Sequence, residues 1–195
     1  MKHTSYISDS DKRKSGFFLL FTVEIIGIII GSYIAVSDID TATIRSILCP
    51  TIDGATLIDI FKNTLVPSLI FIVSAFLCGV FAFGQPLGIA LIIAEGAEIG
   101  LSVAFLYAEK GISALPAVLV LYVPKAVAFS FVAVLAVREV LRNSALIMRF
   151  VISAEHNSEK ISLKLYCTKF IVLTIIIFII SIADSLMNYV FSGLL

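Results

Sequence analysis

Five ionisable side chains stand inside almost wholly apolar sequence: Glu24, Glu95, Glu98, Lys125 and Asp184. Glu95 and Glu98 are three residues apart, so on a helix both carboxyls share one face. Lys125 directly follows Pro124, whose missing N–H leaves the Val120 carbonyl free to accept from another group. An isolated charge in mid-bilayer costs on the order of 3 kcal/mol on insertion scales, so such groups are expected to face one another and not lipid. Lys125 can neutralise one acid; a second carboxyl nearby must hold a proton or reach water. This set of residues supports two kinds of chemistry. One is an ion pair that fixes the register of packed helices. The other is a path for protons or ions.

Other chemistry is poorly supplied. The histidines, His3 and His156, lie in hydrophilic segments far from the buried acids. No HExxH, GxSxG or P-loop pattern occurs, and no cysteine–histidine cluster has metal-ligand spacing. Glu95 and Glu98 could do acid–base work, but no nucleophile accompanies them. The expectation is a protein without catalytic residues, metal or cofactor, and without a nucleic-acid partner. Cys49 is predicted to fall outside the cell, Cys78 within the membrane and Cys167 in the cytoplasm, so no intrachain disulfide is expected.

The elements that must position the acids are five apolar stretches, at about 16–36, 65–83, 86–107, 112–137 and 170–194. About 20 mostly apolar residues cross the hydrocarbon core as a helix. Only helices and closed barrels satisfy their backbone in lipid, and these runs lack the period-2 alternation of barrel strands. The fold class is therefore all-α, a five-span transmembrane bundle occupying the whole of 1–195 as one membrane domain. The first stretch is longer than the 7–15 residues of a signal h-region and carries Glu24, which favours an uncleaved anchor.

Charge orients the spans. Lys2, Lys12, Arg13 and Lys14 precede the first, and Arg138, Arg142, Arg149, Lys160, Lys164 and Lys169 lie between the fourth and fifth. The other side holds Arg45, Lys62 and Lys110. The positive-inside rule places the N-terminus and segment 138–169 in the cytoplasm, and the acidic segment 37–64 and the C-terminus outside. Gly84-Gln85-Pro86 reads as a tight turn between spans two and three, and residues 107–111 as the turn between three and four. In the outer loop, 43–48 and 55–62 read either as short amphipathic helices on the membrane surface or as a solvated connector. Segment 138–169 is expected to begin as a helix continuing out of span four. Its Arg138, Arg142 and Arg149 would anchor to anionic lipid or meet a cytoplasmic partner.

Small residues mark where helices approach closely. Gly27 and Gly31 lie on the Glu24 face of span one, and Gly88, Gly96 and Gly100 recur at multiples of four along span three.

Several pieces together resemble the stage II sporulation protein M family, from about Phe61 to the C-terminus. They are Phe61-Lys62-Asn63, Cys78-Gly79, Gly84-Gln85-Pro86 with the Gly96–Gly100 face, Tyr122-Val123-Pro124-Lys125, Ala183-Asp184-Ser185 and Leu194-Leu195. The chain departs from the family where His-Gly and then a Glu often follow the Pro; here the residues are Lys125-Ala126-Val127. The resemblance implies a non-enzymatic scaffold of the cytoplasmic membrane (the mother cell membrane in endospore formers). It would anchor extracytoplasmic peptidoglycan hydrolases, a lytic transglycosylase and an amidase/endopeptidase, for septal wall remodelling and engulfment. On that reading Asp59 and Asn63, at the mouth of span two, are candidate partner contacts. The alternative from the acids alone is a permease or proton-coupled transport subunit using Glu24, Glu95, Glu98 and Lys125.

Overall fold

The computed structural model describes residues 3–37, 57–152 and 163–191, and every element among them is helical. Five helices are long and apolar enough to cross a membrane. They are α1 (His3–Val36), α2 (Leu57–Val80), α3 (Gly84–Lys110), α4 (Val123–Ile152) and α5 (Leu163–Val190). Cross-helix contacts give their directions. Thr64 meets Asp184 while Phe76 meets Tyr166, so α2 and α5 are antiparallel. Gly27 lies on Ile93 and Gly31 on Ala97, so α1 and α3 run the same way. Here the upper end is the one where α2 and α4 begin and α1, α3 and α5 finish.

Helix α4 is the core of the bundle. Val132, Ala133, Val134, Ala136, Val137 and Val140 are buried, a broad face of the helix over more than two turns, while Phe131 and Leu135 on the opposite side are exposed. An apolar face this broad is satisfied only when several neighbours cover it. Phe71 and Ile72 of α2, Ile92 of α3 and Phe170 and Leu173 of α5 complete the cluster. The outward faces are also apolar: Phe18, Ile29, Ile70, Leu77, Ile175 and Ile179 are exposed. That much exposed apolar surface is a liability in water and the natural surface in lipid.

Helix boundaries differ from the sequence expectation for local reasons. The turn joining α2 to α3 is Phe81–Phe83, and Gly84-Gln85-Pro86 forms the first turn of α3. Gly84 is still the residue that makes the turn possible, because a Cβ there would overlap the Cys78 carbonyl oxygen. Pro86 sits where its missing N–H costs nothing. Helix α3 runs on to Lys110, and Gly111 alone breaks it with φ +59°, a conformation costly to residues with a Cβ. Span four is not one continuous α-helix from 112. A 3₁₀ turn (Gly111–Ala114), a single α turn (Leu115–Ala117) and a π turn (Val118–Tyr122) lead into α4, whose second residue is Pro124. The proline expected in mid-span therefore sits where the regular helix restarts.

The stretch 57–62 is not a separate surface helix; it is the first part of α2, with Ile60 buried and Phe61 stacked edge-on against Phe178. The proposed helix at 43–48, Cys49, most of the outer loop, residues 153–162 and the Leu194-Leu195 tail lie outside the described residues. The helical continuation of span four is present to Ile152.

The lower end is held by side chains that close the end of α2. Tyr166 Oη donates to the Phe76 carbonyl at 2.9 Å, Asn143 Nδ2 to the Gly79 carbonyl at 2.8 Å and Ser144 Oγ to the Ala82 carbonyl at 3.0 Å. Gly79 is among the last four carbonyls of α2, which have no partner within the helix, and Ala82 lies in the turn, so α4 supplies donors that water would otherwise provide; the Tyr166 bond to Phe76 pins α5 against α2 one turn earlier. Phe76, Tyr166 and Phe170 stack around the same point.

Candidate functional site

The acids of α1 and α3 are brought together by glycine. A Cβ on Gly27 or Gly31 would overlap the carbonyl oxygens of Ile93 and Ala97, and one on Gly96 or Gly100 those of Glu24 and Ile28. Each helix thus supplies bare backbone where the other presents its carbonyls. Ser32 adds a contact from its Oγ to the Gly100 carbonyl at 3.4 Å. Gly88 also packs a helix, but a different one: a Cβ at this position would lie 3.1 Å from Cγ1 of Val140 on α4.

This interlock fixes Glu24 against α3. The residue is 1% exposed, and neither carboxyl oxygen has a hydrogen-bond partner among the described residues. The Ser130 hydroxyl of α4 lies beside it without closing a bond of normal geometry. Glu24 acts electrostatically on Glu95.

Lys125 finds its ion partner on α5. Its Nζ stands 3.3 Å from Asp184 Oδ2, with the lysine side chain 38% exposed and the aspartate 3%. Thr64 Oγ1 donates to the same oxygen at 2.8 Å. Asn188 Nδ2 donates to Asp184 Oδ1 at 3.0 Å and to its backbone oxygen at 2.9 Å. Side chains from α2, α4 and α5 therefore converge on one carboxylate. Charge-assisted bonds of this kind are about twice as strong as neutral ones. Glu95 and Glu98 feel the ammonium through space, and no hydrogen bond contributes to its hold on them.

A half-enclosed cavity of about 550 Å³ separates these groups. It lies between α2 and α3, which meet at the Phe81–Phe83 turn, with α4 behind and the end of α5 at its upper rim. Glu95, Glu98, Lys125 and Asp184 all line it, and Glu24 does not. Thr64, Ser68, Ser102 and Asn188 add polar groups, while Phe71, Phe129 and Tyr122 supply aromatic surface. Pro67 of α2 is also on the wall, and its ring removes the N–H that would have bonded the Asn63 carbonyl. Asn63 lines the mouth; Asp59, one turn earlier, is exposed and outside the cavity.

Reading the sequence alone missed Thr64, Ser130 and Asn188. Asn188 carried a usable signal, since it lies four residues after Asp184 and so on the same face. Thr64 and Ser130 carried none, because Ser and Thr are common in spans and their partners are on other helices. No family model, curated protein sequence or solved structure matches the chain, so the chemistry assigned to it rests on this geometry.

Proposed function

We propose that the chain is a non-enzymatic, multi-pass scaffold of the cytoplasmic membrane that anchors extracytoplasmic peptidoglycan hydrolases, in the manner of the stage II sporulation protein M family. The observation that carries this reading is the Lys125–Asp184 pair. It joins Ala183-Asp184-Ser185, a piece of the resemblance, to Lys125, the position at which the chain departs from the family's pattern. With Thr64 and Asn188 they tie three helices together, the use expected of a structural lock. The glycine interlock of α1 and α3 serves the same rigidity. The cations of 138–149 and 164–169 all belong to the lower end, which supports a cytoplasmic lower end and an upper end facing the wall. Asp59, Asn63 and the segment before them would then be presented to the partners.

The test is co-purification from the native membrane. A lytic transglycosylase or amidase should be recovered with the chain and lost when residues 43–56 are scrambled, which leaves the sequence of α2 (Leu57–Val80) unchanged. Recovery unaffected by the scrambling refutes the assigned contact surface, and absence of any wall hydrolase refutes the scaffold.

One observation favours a second reading, a permease or proton-coupled transport subunit. Glu95 and Glu98 line a cavity and take no hydrogen bond from the described residues, and the π turn Val118–Tyr122 contributes Leu121 and Tyr122 to the same wall. Irregular backbone at membrane depth is tolerated where it lines a cavity. Solute or proton flux in liposomes, abolished by Glu98→Gln, would support it; no flux above protein-free liposomes would refute it.

A further inference from the structure

Charge in the cavity is uneven. Three carboxyls line it, Glu95, Glu98 and Asp184, against one ammonium, and that ammonium is already engaged by Asp184. Glu95 is 8% exposed, faces this space and takes no hydrogen bond from the described residues. A carboxyl so deeply buried without a donor is expected to have a partner. The rest of the wall is apolar and aromatic: Phe71 and Phe129 meet edge to face at 5.7 Å, and Tyr122 completes the ring surface. Aromatic faces attract cations, and do so most strongly away from water. The volume of about 550 Å³ is within the range of about 300–1,000 Å³ typical of small-molecule sites.

We propose that this cavity is a binding site for a monovalent organic cation with an apolar body, its charge held by Glu95 and Glu98 and its body by Phe71, Phe129 and Tyr122. An anion of the same size is rejected, because the one cation on the wall is engaged by Asp184 and two further carboxyls face the ligand. The proposal goes beyond both functional readings, since a scaffold and a carrier can each hold such a ligand.

The experiment uses the full chain in detergent and two probes of nearly equal size and opposite charge, tetraphenylphosphonium and tetraphenylborate, by equilibrium dialysis. The phosphonium should bind saturably at one per chain, with the borate at least ten-fold weaker. Glu95→Gln/Glu98→Gln should lose at least ten-fold in phosphonium affinity. A second measurement needs no variant: dicyclohexylcarbodiimide should modify Glu95 or Glu98, read by mass spectrometry, and the phosphonium should slow that modification. Equal or tighter borate binding, no saturable phosphonium binding, or carbodiimide labelling unaffected by saturating phosphonium would each overturn the proposal. Because these outcomes do not involve wall hydrolases or flux, they stand apart from the tests of the functional readings.

Discussion

Gly31→Ala tests whether α1 and α3 are in backbone contact. Two effects oppose each other. Replacing a helical glycine by alanine favours the helix by about 1 kcal/mol. Against this, the new Cβ at position 31 would overlap the Ala97 carbonyl oxygen, which is backbone and cannot rotate away. The helices must therefore part, and the contacts on either side, at Gly27, Gly96 and Gly100, open with them. Overpacking of this kind costs about 1–3 kcal/mol, and at a backbone-to-backbone contact the upper half of that range applies. The net loss is about 1–2 kcal/mol. For a chain of this size 1 kcal/mol is worth about 2–4 °C, so the melting temperature should fall by about 2–8 °C. Gly16→Ala is the matched control, because nothing lies within 4 Å of the position its Cβ would take. Thermal unfolding in one detergent, followed by loss of the monodisperse peak, reads both. Gly27→Ala/Gly31→Ala should cost less than the sum of the single changes, since one separation relieves both overlaps. If Gly31→Ala is as stable as Gly16→Ala, the interlock does not exist and Glu24 is not pinned against α3.

Asp184→Ala should destabilise by about 1–3 kcal/mol, below the usual cost of breaking a buried pair, because the 38%-exposed Lys125 can turn into the cavity. A cycle with Lys125→Ala should return a coupling of about 1 kcal/mol or more by thermal unfolding, and strict additivity would refute the pair. Tyr166→Phe should cost about 1 kcal/mol by removing the hydroxyl's bond to the Phe76 carbonyl, which that oxygen accepts in addition to its bond within α2. Gly79→Ala should be worse on its own, since its Cβ would overlap the Tyr166 hydroxyl, and should be partly rescued by Tyr166→Phe; no rescue would place that hydroxyl elsewhere. The Lys169–Glu139 bridge, at 2.6 Å but partly exposed, should contribute less than about 1 kcal/mol and fade with added salt, as measured with Lys169→Ala. A membrane-impermeant maleimide should modify exposed Cys167 only from the cytoplasmic side, and half-buried Cys78, two residues from the lower end of α2, more slowly and from that same side; labelling of Cys167 from outside would invert the orientation.

Several features were legible because they depend on one helix at a time. The runs of apolar residues mark the spans, since each must match the bilayer by itself. Gly27-xxx-Gly31 and Gly96-xxx-Gly100 mark close approaches, because a four-residue step keeps both glycines on one face. Gly88 shares the step but not the partner: eight residues below Gly96, α3 already faces Val140 of α4. The turn at Phe81–Phe83 was misplaced by three residues because glycine and proline suit both a turn and the first turn of a helix. The bonds from Asn143, Ser144 and Tyr166 to backbone carbonyls of α2 and the turn after it were invisible, as each donor comes from a helix remote in sequence.

From its residues alone, this chain determined that it forms apolar helices and that five ionisable groups must be shielded within them, because lipid leaves no less costly arrangement for the backbone or for charge. Tertiary structure decided which acid meets the lysine. Depth along the spans sets Glu24, Glu95 and Glu98 nearly level with Lys125 and Asp184 farther toward the upper end; the packing of the helices nevertheless turns Asp184 toward Lys125, leaves Glu95 and Glu98 facing a cavity, and buries Glu24 outside it.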